Sequence, residues 1–270
     1  MSRFNNLELE DSPQQGEGRP PKGNAPKQTG TPTRDAAYFK GLADAASRSG
    51  DYEKALQFYS RALEDDRTLI SCWFGQVRML TEMGEYKEAC LWTDRALELF
   101  PEHPDLLAAK AQANARMGLF DHALAYSDNA MSQKGASPFC WLVRGEVLLN
   151  RKSKMADHCF GQAVSACQTS PAKARVGLEL SKVFRRYGWY SKALDYASKA
   201  AQAFPEDACV WFELGQCQSL LGLREARTSF EQALQLNPGL KKAERELDRF
   251  LRRGIRGRLR MLFRRFFRRR

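Results

Sequence analysis

The sequence predicts an all-α chain, a right-handed α–α superhelix (solenoid) of helical hairpins. Three observations carry that expectation. Alanines seven residues apart recur six times, at Ala55 and Ala62, Ala89 and Ala96, Ala123 and Ala130, Ala156 and Ala163, Ala193 and Ala200, and Ala226 and Ala233. Their first members step by 34, 34, 33, 37 and 33 residues, and a fixed period of this size marks stacked supersecondary units. Within a unit the apolar residues keep helical spacing: in DYEKALQFYSRAL, Tyr52, Ala55, Leu56, Tyr59, Ala62 and Leu63 make one stripe. Finally, Pro101, Pro104, Pro138, Pro171, Pro205 and Pro238 all fall between units, where they break no helix interior.

Taken in order, residues 1–34 come first. They hold five of the eleven prolines and almost no apolar residue after Leu9, a composition that cannot build a core and is expected to be disordered. Phe4, Leu7 and Leu9 alternate with Glu8, Glu10 and Asp11 there, which would suit a short docking segment as well as a stray terminus. Residues 35–240 then divide into six units, about 36–69, 70–103, 104–137, 138–173, 174–207 and 208–240. Each pairs a first helix, as in Trp73, Val77 and Leu80, with an alanine-bearing second helix, because two helices approach closely only where side chains are small. Glycines at 50, 84, 118, 188 and 222 mark the turn inside five of the hairpins; Lys152 stands there in the fourth. The 37-residue step suggests a bend around Gln168 to Lys173. Residues 241–251, with Ala243, Leu247, Phe250 and Leu251 on one face, are expected to be the helix that caps the stack.

These residues resemble the tetratricopeptide repeat. The resemblance rests on a large residue early in the first helix (Phe39, Trp73, Leu107, Trp141, Trp211), the turn glycine, an aromatic two residues later (Tyr52, Tyr86, Phe120, Tyr190), the alanine pair and a closing proline (Pro101, Pro205, Pro238). It covers about Ala36 to Leu240. It implies a concave groove, lined by the first helices, that holds a protein or peptide partner. Projected from the register, the groove residues are Lys40, Asp44, Arg48, Phe74, Arg78, Gln112, Arg116, Phe139, Leu142, Glu146, Arg175, Leu178, Lys182, Arg185, Phe212 and Gln216. Phe74, Phe139, Leu142, Leu178 and Phe212 are expected to form an apolar strip edged by arginine, suited to a partner with apolar anchors and some acid. The Lys, Asn and Arg clamp with which related domains hold a chaperone's C-terminal carboxylate is absent from the first three repeats, where Asp44, Gly75, Asp105 and Ala109 stand.

Net charge is +11, yet residues 35–251 hold 28 basic and 28 acidic side chains, while residues 252–270 carry ten arginines and no acid. The basic excess is therefore a property of the tail. There Leu251, Ile255, Leu259, Leu262, Phe263, Phe266 and Phe267 recur at helical spacing, and Arg252, Arg253, Arg256, Arg260, Arg264 and Arg265 point mostly elsewhere. A basic amphipathic helix of this kind can lie in an anionic membrane surface. An arginine-rich segment can equally fold on RNA, bind an acidic protein, or fray from the cap; the continuous apolar stripe favours lipid. Two readings stay open beside a membrane-targeted adaptor: an RNA- or ribonucleoprotein-associated protein and a chaperone for an apolar client. Self-association through the repeats is open as well.

Other classes recede. The chain has no apolar run near the length of a membrane span and no apolar signal core near Met1, so a cytoplasmic protein is expected, with the inner face of a membrane as a second address. The seven cysteines form no C-x-x-C pair, and His103, His122 and His158 are scattered, so structural thiols and no metal or cofactor are expected. No phosphate loop, H-E-x-x-H or G-x-S-x-G occurs, and no enzyme is expected.

Overall fold

The computed structural model describes residues 35–252, and every regular element among them is a helix. The hairpins are α1 (Ala36–Arg48) with α2 (Tyr52–Asp65), α3 (Ile70–Met83) with α4 (Tyr86–Leu99), α5 (Pro104–Met117) with α6 (Phe120–Ser132), α7 (Pro138–Asn150) with α8 (Met155–Ser165), α9 (Ser170–Arg186) with α10 (Tyr190–Ala203), and α11 (Ala208–Leu220) with α12 (Ala226–Leu236). A last helix, α13, runs over 241–252 within the described residues. The chain is thus an all-α stack of hairpins, as the periodicity requires.

Local chemistry sets the helix ends. Asp35, Asp51, Ser137, Thr169 and Asp207 each accept a backbone N–H of their helix's first turn through the side chain, satisfying donors that have no partner within the helix. Pro104, Pro138 and Pro171 sit in the first turn, where a missing N–H costs nothing. At the hairpin turns Gly84 and Gly118 adopt φ of 87° and 81°. Lys152 takes the same left-handed backbone, φ 56°, where the other hairpins use glycine.

The hairpins close through small residues. All twelve alanines of the repeating pairs are no more than 2 % exposed. Gly75, Gly145 and Gly215 lie flat under the rings of Tyr59, Phe160 and Phe230, where an added Cβ would stand 2.4, 2.3 and 2.7 Å from ring carbons. The 37-residue step between the fourth and fifth units appears in the length of one helix. α9 begins at Ser170 and is 17 residues long, so the additional residues lengthen a first helix from its N-terminal side, and the expected boundary at 173/174 falls inside it.

The superhelix also brings its two ends together. The side-chain amide of Asn237, after α12, donates to the carbonyl of Ser49 in the first hairpin turn at 3.1 Å, and the Cys209 thiol donates to the carbonyl of Arg48 at 3.3 Å. Lys242 lies 4.3 Å from the centre of the Tyr52 ring. The start of α13 packs beside the start of α11 and the end of α12, where Leu240 and Ala243 are buried with Ala208 and Ala233. Half-buried Leu247 and Phe250 follow on the inner face of α13, while Leu251 is exposed. Residues 1–34, and the tail residues Arg253, Ile255, Arg256, Leu259, Arg260, Leu262, Phe263, Arg264, Arg265, Phe266 and Phe267, lie outside the described residues; Arg252, the last described residue, is helical and exposed.

Candidate functional site

The first helices of the hairpins face the superhelix axis, and their side chains meet there across repeats. Arg78 of α3 reaches Glu179 of α9 at 3.1 Å, and Lys182 of α9 holds Glu179 at 3.0 Å and lies 3.9 Å from Glu82 of α3. Arg116 of α5 continues the chain to Glu82 at 3.8 Å and to Glu146 of α7 at 3.4 Å, and Arg186 reaches Glu146 at 3.3 Å. Arg185 grips Glu213 of α11 with two bonds of 2.7 and 3.0 Å. Five first helices are thereby tied together by opposite charges in a partly dry interior, where each pairing is stronger than at a surface.

The electrostatics follow from that enclosure. Burial alone would raise the Glu179 carboxyl, but Lys182 and then Arg78 outweigh it and hold the group down at about 2. Glu82 is lowered in the same way, chiefly by Lys182 against its own burial. The cations of Arg78, Arg116, Lys182 and Arg185 are raised because carboxylates outweigh their desolvation.

Beside this network lie two connected cavities. The inner one, about 430 Å³, is lined by Arg48, Arg78, Phe139, Leu142, Arg175, Leu178 and Lys182 among others. The outer one, about 1250 Å³, opens between the first hairpin turn and the start of α13, with Arg48, Arg175, Lys241, Lys242 and Arg245 at its rim and Asp51, Glu206 and Asp207 among them. Arg48, Tyr52, Arg175 and Asp207 belong to both, so the outer cleft leads inward. Arg175 is oriented there by Asp207 at 2.7 Å and by the Phe204 ring 4.2 Å beneath it.

Seven of the groove residues expected from the register therefore share one cavity. Phe74 packs edge-on against Phe139 at 5.1 Å, and Arg78 lies over both rings. The structure places these and the remaining expected residues as follows. Leu142 and Leu178 are buried in the main core and reach the cavity only as its floor. Gln112 and Glu146 are buried and bonded to each other at 2.7 Å. Arg116 and Arg185 are committed to Glu146 and Glu213. Lys40 pairs with Asp44, which also accepts from the Tyr59 hydroxyl at 2.7 Å. Phe212 packs on Phe230 at 6.1 Å, and half-buried Gln216 lines neither cavity. The expected open apolar strip is thus a short apolar floor crossed by ion pairs, because the superhelix brings the second repeat against the fifth. Glu82, Glu179, Glu213, Arg186 and Lys242 were missed: a repeat register says which way a residue faces, but not which distant repeat it meets.

Among the described residues no group of three or more His, Cys, Asp or Glu is placed to hold a metal ion, and no helix is long and apolar enough to cross a membrane.

Comparison with known proteins gives one matching family model, the tetratricopeptide repeat, over residues 41–67. The human protein O-mannosyl-transferase TMTC1 is 28 % identical over 209 residues, covering 74 % of this chain and 23 % of its own length. Across the curated relatives it matches, this chain spans 12 to 39 % of their length. Among solved structures, TTC0263, a thermophilic TPR protein in Thermus thermophilus, has a TM-score of 0.54 at 18 % identity, covering 70 % of this chain and 100 % of that one. The APC/C hetero-tetramer Cut9-Hcn1 has a TM-score of 0.50 at 17 % identity, covering 80 % of this chain and 43 % of that one. The chain carries a tetratricopeptide repeat at its N-terminal end and has the fold of a tetratricopeptide solenoid.

Proposed function

We propose that this protein is a non-catalytic interaction scaffold that takes a partner segment into the cleft between its two ends, and that its arginine-rich C-terminal segment brings the complex to an anionic membrane surface. Tetratricopeptide-type folds are generally scaffolds for protein interaction, and the transferase in the name of the human relative describes that protein. One observation carries the reading of the partner. The outer cleft is lined by Arg48, Lys54, Arg175, Lys241, Lys242 and Arg245 against Asp51, Glu53, Glu206 and Asp207, a cationic excess, and it shares lining residues with the inner cavity, whose wall includes Phe139, Val176 and Leu178. A few placed charges around an apolar floor are how such sites select ligands. The matching segment presents acidic residues beside one bulky apolar anchor. The tail adds ten arginines, each worth on the order of 1 kcal/mol near anionic headgroups.

The test is selection of a random short-peptide display library on the immobilised full chain. Enriched sequences should combine an acid with a bulky apolar residue. The double variant Arg48→Glu with Lys242→Glu, which keeps the core and the axial ion pairs, should weaken their binding by about tenfold or more, since reversed charge at a rim repels the same ligand. Enrichment without acid, or binding unchanged by the double reversal, would discard the cleft as the partner site.

A further inference from the structure

The described residues expose twelve large apolar side chains, and half of them stand on one edge of the solenoid. Leu119 and Phe120 lie at the turn of the third hairpin, Met155 at the fourth, Trp189 at the fifth, and Leu221 and Leu223 at the sixth. Ion pairs between neighbouring turns show that the third, fourth and fifth adjoin: Arg151 of the fourth reaches Asp121 of the third at 3.0 Å, and Lys192 of the fifth reaches Asp157 of the fourth at 3.1 Å. Lys152, Lys154 and Arg224 are exposed on the same turns. Cations on the edge therefore outnumber its acids, Asp121, Asp157 and Glu225, by five to three.

Leu251 and Arg252, the last described residues of α13, are exposed. The nine further arginines and no acid of residues 253–270 follow from that point.

We propose that this turn edge is a membrane-docking face, by which the solenoid lies on an anionic lipid surface with Met155, Trp189 and the turn leucines in the headgroup region. Three features favour lipid over a second copy of the chain. Apolar side chains in ones and twos, spaced along turns that carry lysine and arginine, suit insertion into headgroups, whereas a stable protein interface needs a continuous apolar centre. A tryptophan with one apolar and one polar edge is at home at the water–lipid boundary. Apposed copies of the edge would bring like charges together, while anionic headgroups complement them. The inference rests on the reading of the C-terminal segment as membrane-directed, and it adds the turn edge as a second lipid contact. The cleft, which opens at the first hairpin turn and the start of α13, would stay open to a partner.

The experiment is sedimentation of the full chain with phosphatidylserine–phosphatidylcholine vesicles and with phosphatidylcholine vesicles. The parent is compared with an edge variant (Leu119→Ser, Met155→Ser, Leu223→Ser) and with a tail variant (Arg264→Ser, Arg265→Ser, Phe266→Ser, Phe267→Ser). All three edge substitutions replace exposed side chains, and circular dichroism checks that the helices persist. The parent should pellet on the anionic vesicles, and the edge variant should partition about tenfold more weakly, since each lost apolar contact removes buried area while leaving every charge in place. Brominated lipids should also quench the fluorescence of the parent more than that of Trp189→Phe. If the tail variant loses binding while the edge variant binds like the parent, the docking face is wrong and the tail reading stands. If the parent fails to pellet on anionic vesicles, both are wrong. A parent that dimerises in solution, with edge substitution abolishing the dimer but not vesicle binding, would assign the edge to a second copy and overturn the proposal.

Discussion

Arg78 in the second repeat and Glu179 in the fifth stand 3.1 Å apart across the superhelix axis, each about a quarter exposed. That pair, with Lys182 on Glu179 and near Glu82, closes a groove that an isolated row of repeats would leave open. Removing the carboxylate strands two cations, and water reaches them only in part. Glu179→Gln should therefore cost about 2 kcal/mol, in the range for hydrogen bonds to charged groups. Urea unfolding measures it; a midpoint equal to the parent's would mean that the pair contributes nothing to the fold.

The same group sets an acid limit. Its carboxyl is held at about 2 against an ordinary 4.5, and Glu82 is lowered as well. A depressed carboxylate contributes stability that is fully present above the unfolded value and lost as pH falls towards the folded one. The melting temperature should thus fall as pH drops below 4.5 towards 2, and should fall less steeply in Glu179→Gln, which has one such group fewer. Equal slopes in parent and variant would place the acid sensitivity elsewhere.

The distance from sequence to structure is uneven for a physical reason. Alanine pairs, turn glycines and joint prolines report contacts within a hairpin or between neighbours, and those contacts set the fold, so the architecture was legible from spacing. Even the exception at Lys152 is local: its left-handed backbone occupies a glycine position. The site was legible in part. Arg48, Arg78, Phe139, Arg175 and Lys182 line one cavity because they stand on the inward side of the first helices of the first, second, fourth and fifth repeats. Glu146 is inward too, yet Gln112 and Arg116 of α5 and Arg186 of α9 claim it. That meeting depends on superhelical curvature, a sum of small rotations that no single residue encodes. The length of α9 was equally hidden, since Pro171 reads as a joint but serves as a first-turn residue.

Two glycine substitutions should move in opposite directions. A Cβ on Gly145 would stand 2.3 Å from the Phe160 ring, whereas one on Gly161 in α8 meets nothing within 4 Å. Gly145→Ala should destabilise by about 1–3 kcal/mol through overpacking. Gly161→Ala should stabilise by up to about 1 kcal/mol, because alanine loses less backbone freedom in a helix. Thermal melts of both compare the signs directly, and a stabilised Gly145→Ala would contradict the close approach of α7 and α8.

The seam between the chain's ends can be followed through a single thiol. Cys209 donates to the Arg48 carbonyl, and burial, then the Asp207 carboxylate, push its thiol up to about 11 from an ordinary 9. Since only the thiolate reacts, alkylation at pH 8 should run about a hundredfold slower than that of the unfolded chain at Cys209, resolved from the other cysteines by peptide mapping. Asn237→Ala deletes the amide that holds Ser49, and Glu179→Gln loosens the second repeat from the fifth. Together they should speed alkylation of Cys209 and leave Cys159, buried within α8, unchanged. A native Cys209 that reacts as fast as the unfolded one would show that the ends part in solution and that the cleft between them is wider than the closed structure.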